Sequence, residues 1–583
     1  MKRFRSAGFG LLGLWLCAAN LHAQNLTYTL EGLDAELEKN VHAWLGSLPD
    51  AVHERQNFVV SARDRVKGAL QALGYYRPDV DIAVDKSPPV WQMQIVVDAG
   101  EPVRYSQVNL SILGDAASDA EFEELLADTS IRSGERLHHG QYQSFKKQLQ
   151  SLGQQRGYFD ARFVTSRVEV EAGMANADAE LVYDSGKRYR FGTLLHDPEL
   201  TDADLLAALQ PFDSGDYFEL SELQLFQTQL QRTRYFSSVL VQPRPALAQG
   251  QEIPIDVKLH PAKRHNFDVG VGYSTDTEER VSLSWRTPRI NRFGHSQLTR
   301  LEYSRVNPSG RITYNIPLTH PLNDILQLWG RLEDNEFGDL NSEQQELGAR
   351  REIRSNSRVL GYSLRALNES WSELNQMFDN EYLLFGASWS NRTQRGSVID
   401  PQSGFSQLLT VEAAGKELGS DVNVLRMTAN LRYIASPWPL HRVVARADLG
   451  VARLSNGDRD NLAPSLSFFT GGNQSIRGFG YNSIGNEVPV TRADGSAKTI
   501  VTGGDRLAVA SVEYQYYFTD QWRGALFIDG GDAFDEGEFD MNYGAGFGVH
   551  YITPVGAVRL ELGNSLSKDN PDWQVHLTIG AEF

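Results

Sequence analysis

The stretch Trp573-Gln574-Val575-His576-Leu577-Thr578-Ile579-Gly580-Ala581-Glu582-Phe583 sets an apolar side chain at every odd position and a polar residue or glycine at every even one. Successive side chains of a strand point to opposite faces, so this run is a strand with one greasy face and one wettable face. Working toward the N-terminus, the same period returns. Phe267, Val269, Val271 and Tyr273 alternate with Asp268, Gly270, Gly272 and Ser274, and Val281, Leu283 and Trp285 alternate with Ser282, Ser284 and Arg286. It recurs within 312–318, 360–366, 427–433, 443–451, 508–518, 543–551 and 558–562. A soluble sandwich would alternate too, but three features favour a closed transmembrane barrel. The second face carries Arg286, Arg426, Arg432, Arg446, Asp448, Arg559 and Glu561, which suits a wetted lumen. The apolar face often ends in Trp or Tyr, as at a membrane interface. From residue 263 onward, about 320 residues leave room for on the order of 16 spanning strands with their turns. Backbone groups in lipid must all be paired, so such a sheet has to close.

Composition narrows the rest. The chain has 583 residues, 56 Lys and Arg against 74 Asp and Glu, a net charge of −18 and a single cysteine. Apolar residues are spread along the whole length, which excludes disorder and low-complexity classes. The charge balance, with no basic run after the first residues, argues against a nucleic-acid partner. One cysteine allows neither an internal disulfide nor a Cys-based zinc site. Residues 1–23 read as a secretory signal: Lys2, Arg3 and Arg5 precede an apolar stretch over 9–19 and a cleavage position after Leu21-His22-Ala23. Cys17 falls inside that leader, and no later stretch is apolar enough for a spanning helix.

Residues 24–261 follow a different grammar, with amphipathic helical stretches at 33–48, 62–73, 120–128, 141–155 and 220–233 and strand-like runs at 80–85, 91–98, 180–184 and 255–259. Gly74-Tyr75-Tyr76 ahead of Val80-Asp81-Ile82 recurs as Gly157-Tyr158-Phe159 ahead of Phe163-Val164, and as Arg234-Tyr235-Phe236 ahead of Val239-Leu240-Val241. Gly100-Glu101-Pro102-Val103-Arg104-Tyr105 likewise returns as Gly186-Lys187-Arg188-Tyr189-Arg190-Phe191. Helix, tight turn, aromatic anchor and strand thus repeat three times at about the length of one small domain. The expected organisation is a signal at 1–23, repeats at 24–101, 102–185 and 186–262, and a barrel at 263–583.

The segment Phe468-Phe469-Thr470-Gly471-Gly472-Asn473-Gln474-Ser475-Ile476-Arg477-Gly478-Phe479 resembles the V-R-G-[YF] loop of the outer-membrane assembly and secretion superfamily that contains BamA, TamA and the two-partner secretion transporters. Phe527-Ile528-Asp529-Gly530-Gly531 resembles its F-x-D-x-G motif, the Gly-rich pair that follows in 543–556 is also similar, and terminal Phe583 matches the barrel recognition signal. The three N-terminal units resemble its periplasmic POTRA domains, each a small βααββ fold. Phe479, where Tyr is commoner, and the missing Pro after Gly485 are mild departures.

The resemblance implies α+β POTRA repeats followed by a 16-stranded antiparallel barrel in the outer membrane of a Gram-negative cell, with the repeats in the periplasm. Three repeats directly after the signal point to the TamA-like branch. Its members are non-enzymatic factors that insert or translocate autotransporters and related barrels, need no cofactor or metal, and work with a TamB-like inner-membrane-anchored partner. The alternatives are a two-partner secretion transporter and a diffusion pore with periplasmic binding modules. By the same resemblance, Ser475, Ile476, Arg477, Gly478 and Phe479 form a loop held in the lumen, anchored by a strand motif of Phe527, Asp529 and Gly531, with an Arg477–Asp529 contact. First and last strands meet at a lateral seam through Val269, Gly270, Val271, Gly272, Val575, Leu577 and Ile579. Gly270 and Gly272 have two readings, a deliberately weak seam or relief of inward crowding.

Between residues 24 and 261 there are 35 acidic and 22 basic side chains, a net of −13, which disfavours capture of acidic ligands. Edge-strand pairing with clients suits the repeats better. No G-x-S-x-G, H-E-x-x-H or G-x-x-x-x-G-K motif occurs. His138-His139 reads as solvent-facing, and the acidic run at 456–461 as a polar barrel turn, since it lacks the Gly and Glu of a calcium loop.

Overall fold

The computed structural model describes residues 25–580 apart from positions 50, 88, 172, 174, 277, 374, 375, 398, 456, 492–496, 555 and 569. The leader and Phe583 lie outside the described residues. The chain divides into two compact units, one running continuously to Thr193 and adding Phe212–Glu222 and Pro243–Ile255, the other comprising Leu194–Pro211, Leu223–Gln242 and Asp256–Phe583.

Strand β1 (Leu26–Glu31), helices α1 (Ala35–Leu45) and α2 (Arg55–Ala72), and strands β2 (Asp79–Asp85) and β3 (Trp91–Asp98) come first. The order repeats as β4 (Arg104–Leu113), α3 (Ala120–Ala127), α4 (His139–Gln155), β5 (Arg162–Val170) and β6 (Asn176–Asp184). It repeats again as β7 (Arg190–Leu195), α5 (Ala203–Ala207), α6 (Leu220–Arg232), β8 (Phe236–Pro243) and β9 (Glu252–Pro261). The sheets run β1-β3-β2, β4-β6-β5 and β7-β9-β8. In the first two, the opening strand lies parallel to the last, and the helices supply the crossover that parallel pairing needs.

Leu37, Val41 and Leu45 of α1 and Phe58, Ala62, Val66, Ala69 and Leu70 of α2 recur at helical spacing and bury against Met93, Ile95 and Val97 of β3. Asp34 caps α1 by accepting the Leu37 N–H at 2.9 Å, which fixes its start. Helix α2 begins at Arg55, well before the expected 62, because Phe58 anchors a turn whose polar and β-branched residues hide the periodicity. The histidine pair corrects another expectation. Both rings are part-buried: His138 caps α4 by accepting the Gln141 N–H at 3.2 Å, and His139 Nε2 lies 2.7 Å from the Tyr76 hydroxyl.

Asp119 caps α3 and also receives Arg156 Nε and the Tyr158 hydroxyl, each at 2.8 Å. Burial raises the Asp119 carboxyl pKa, but these donors outweigh it and leave the group below the ordinary carboxylate value, while burial and the same carboxylate raise that of Tyr158. A lowered folded pKa contributes stability above the unfolded value, and that stability is lost as pH falls through the folded one. Protection factors for amide exchange across α3 and α4 are therefore expected to fall on acidification below the normal Asp range, and Asp119→Asn should flatten that part of the profile. An unchanged profile in the variant would assign the acid sensitivity elsewhere.

The barrel strands are β10 (Asn266–Ser274), β11 (Glu278–Thr287), β12 (Ser296–Ser304), β13 (Ser309–His320), β14 (Asp324–Phe337), β15 (Leu340–Ser355), β16 (Arg358–Glu373), β17 (Gln376–Gly396), β18 (Pro401–Ala414), β19 (Val424–Trp438) and β20 (His441–Leu454). After a separate hairpin of β21 (Asn486–Thr491) and β22 (Ala497–Thr502) come β23 (Arg506–Tyr517), β24 (Trp522–Phe534), β25 (Asn542–Thr553), β26 (Gly556–Asn564) and β27 (Trp573–Gly580). The sixteen strands form one antiparallel sheet, nearly closed, running from β10 to β20 and on from β23 to β27. Alternation holds on the wall: Leu526 and Ile528 are 61% and 57% exposed, whereas Asp529 between Ile528 and Gly530 is 1% exposed.

Strands β14, β15 and β17 escaped the periodicity because only part of each meets lipid. β17 has 21 residues, against roughly 9–11 for a span. Beyond outward-facing Leu332, Leu347, Ala366 and Leu383, the same exposed face continues as Asp334, Glu336, Glu343, Gln345, Asp379 and Glu381.

Candidate functional site

The loop 455–505 between β20 and β23 turns into the barrel. Leu462, Ala463, Leu466 and Phe468 pack with Leu367, Trp371, Tyr382 and Leu384 of the inner wall, while Ile476, Phe479 and Ile484 pack with Val509. Apolar burial therefore helps seat the loop alongside its ion pairs. Asp458, expected in a polar turn, is instead buried, accepting from Lys416 Nζ at 2.6 Å and the Asn423 N–H at 2.9 Å.

Arg477 stands at the loop's innermost turn, 2% exposed. Its Nε and Nη2 donate to Asp529 Oδ2 and Oδ1 at 2.7 and 2.9 Å, a two-pronged grip, and its backbone N–H adds a bond to Oδ2 at 3.0 Å. Nη1 donates to Glu513 Oε2 on β23 at 2.5 Å and to Glu561 Oε1 on β26 at 3.0 Å. The guanidinium carbon lies 3.4 Å from the centre of the Phe527 ring. Every donor edge of one side chain is thereby spent on three strands of the wall. Arg446 on β20 helps from the other side, donating to the carbonyls of Gln474 and Ser475 at 2.6 and 3.4 Å.

Close approach of the loop backbone depends on glycine. Gly478 has φ +95°, and its N–H donates to His576 Nε2 on β27 at 3.0 Å. A Cβ on Gly544 would lie 2.1 Å from the Arg477 carbonyl oxygen, and one on Gly563 2.6 Å from the Gly478 nitrogen. Gly531 is equally confined, with 2.1 Å to the Ala508 oxygen. Ile476 and Phe479 are buried, and the Ser475 hydroxyl meets that of Thr470.

Sequence reasoning paired Arg477 with Asp529, and the structure brings them together. It missed Glu513 and His576 as neighbours, although each falls on the inward register of its strand. Glu513, His550 and Glu561 converge closely enough to hold a metal ion, but Arg477 Nη1 already occupies the space between the two glutamates.

At the other predicted site, β10 and β27 form the two ends of the strand order, and no hydrogen-bonded ladder joins them among the described residues. Val269, Val271, Val575 and Ile579 face outward and exposed, with Leu577 half-buried. Inward crowding does not explain Gly272, where a Cβ would meet open space, whereas a Cβ on Gly270 would lie 2.6 Å from the Ser282 hydroxyl.

A nearly closed wall, greasy outside and clasping an arginine-bearing loop inside, preceded by strand-helix-helix-strand-strand repeats, defines a β-barrel protein of the outer membrane with its repeats in the periplasm. The model of the Omp85 superfamily domain matches residues 263–583, and the chain belongs to that superfamily, of the BamA/TamA type. The model of POTRA domain TamA domain 1 matches residues 27–99. The outer membrane protein assembly factor BamA of Nitratidesulfovibrio vulgaris is 25% identical over 374 residues, 61% of this chain and 46% of that protein, so the chain spans about half the length of that curated relative. The crystal structure of BamA from Haemophilus ducreyi lacking POTRA domains 1–3 superposes with a TM-score of 0.70 at 15% identity, covering 82% of this chain and all of that one, a likeness of fold.

Proposed function

We propose that this protein is a non-enzymatic assembly and translocation factor of the TamA type, which inserts or helps translocate autotransporters and related β-barrel clients into the outer membrane. The lack of a hydrogen-bonded ladder between β10 and β27 among the described residues carries this reading, because it leaves strand edges to which a client strand can add by backbone hydrogen bonding. The repeats contribute further sheet edges for clients or for a TamB-like inner-membrane-anchored partner, and three such units ahead of the barrel fit that branch. No cofactor or metal enters the reading, since strand addition in the membrane draws on pairing and burial alone. The buried, apolar-packed loop inside the wall counts against an open diffusion pore.

The test is a reversible seam lock. Val271→Cys combined in turn with Val575→Cys, Leu577→Cys or Ile579→Cys should abolish client assembly when oxidised and restore it on reduction. A formed crosslink that leaves assembly at the wild-type rate would eliminate lateral opening.

A further inference from the structure

Among the described residues no ladder closes the seam, and the structure places the Asp276 carboxylate beside it. The turn at residues 275 and 276, after β10, carries Asp276, whose side chain is 8% exposed. Its Oδ2 accepts the backbone N–H of Asn473 in the lumen loop at 2.8 Å, and Asn473 Nδ2 donates to Ser274 Oγ at 3.0 Å. Its Oδ1 lies 3.9 Å from Nδ1 of His576 on β27. Because His576 Nε2 accepts the Gly478 N–H, the proton of the neutral ring is assigned to Nδ1, on the side of Asp276, where it has no hydrogen-bond partner. Gly472, at φ +103°, permits the approach, since a Cβ there would lie 2.7 Å from Asp276 Oδ2.

We infer that Asp276 is a positioning residue that latches the first hairpin to the lumen loop, and through the loop's Gly478–His576 bond to the last strand, an inference that rests on the seam reading above. β10 and β11 are paired along their whole length, from Asn266 opposite Arg286 to Ser274 opposite Glu278, and β11 in turn pairs with β12, so the first strands move together. Arg477 is anchored on β23, β24 and β26 and stays seated when the latch releases. Opening at this end of the seam therefore breaks the contacts of the turn while the clasp inside the barrel persists.

The test uses the full chain with Cys17→Ser, in lipid nanodiscs, spin-labelled through Val271→Cys and Val575→Cys. Pulsed dipolar spectroscopy should give one short distance for the otherwise unaltered protein. Asp276→Ala should produce a several-fold rise in the long-distance population, with the heat-modifiable migration of the folded barrel and the protease resistance of loop 455–505 retained. Asp276→Asn, which keeps an acceptor for Asn473 but loses the charge facing His576, should give a smaller rise. Unchanged distances in folded Asp276→Ala overturn the latch. Should that variant lose the barrel, Gly472→Ala decides, because its Cβ pushes the carboxylate away with Asp276 still present; no widening there overturns the latch equally. The seam lock separates the two readings. Widening in Asp276→Ala alongside full client assembly through a locked seam leaves the latch standing and removes lateral opening, and the reverse pair of results removes only the latch.

Discussion

Arg477→Ala is expected to unseat the lumen loop and to reduce client assembly to a small fraction of its normal rate. The substitution leaves Asp529, Glu513 and Glu561 facing one another in a buried site with their shared cation gone. Removing one member of a buried charge network costs roughly 3–5 kcal/mol, mostly the penalty of the uncompensated charges left behind. The intact network adds less net stability than that figure, so its value lies in holding the loop in one place. Arg477→Lys should recover little, because an ammonium cannot reproduce the two-pronged grip on Asp529 while also reaching both glutamates. Limited proteolysis of loop 455–505 in folded barrels reads the outcome directly. A loop as protected as in the wild type, together with normal client assembly, would refute the anchoring role.

Gly544→Val reaches the same loop from the opposite side and should be comparably damaging. The contact at risk is the Arg477 carbonyl oxygen, 2.1 Å from where the new Cβ would stand, and a backbone atom cannot swing aside as a side chain would. The loop must lift off β25, pulling the guanidinium away from Asp529. Because both substitutions break one event, the Arg477→Ala/Gly544→Val double variant should be scarcely worse than either alone, whereas independent effects would add. Additive loss of protease protection would show that the loop has a second, separate foothold.

Much of this was legible in the sequence, for identifiable reasons. Period-two alternation exposed strands such as β27, whose outward face is apolar, and the resemblance of the segments around Arg477 and Asp529 to the superfamily's motifs located the clasp. The opening strands of the repeats were not legible: β4 mixes Arg104, Gln107 and Asn109 with apolar residues and carries a register shift between Tyr105 and Val108 that breaks its period. Glu513 gave no signal of its own, since a carboxylate on an inward register reads like any lumen charge until a loop from elsewhere in the chain is laid beside it. Asp276 was invisible for the same reason, lying in a short turn whose partners are Asn473 and His576.

The unusual height of β14, β15 and β17 has an electrostatic consequence. From Gln345 to Asn341, β15 continues past its last lipid-facing leucine for roughly 10–15 Å of strand at about 3.4 Å per residue. With β14 and β17 it raises five carboxylates, Asp334, Glu336, Glu343, Asp379 and Glu381, on an outward face above the hydrocarbon. Within about one Debye length, that palisade presents a negative field to whatever diffuses along the cell surface, repelling anions and drawing cations to one flank of the barrel.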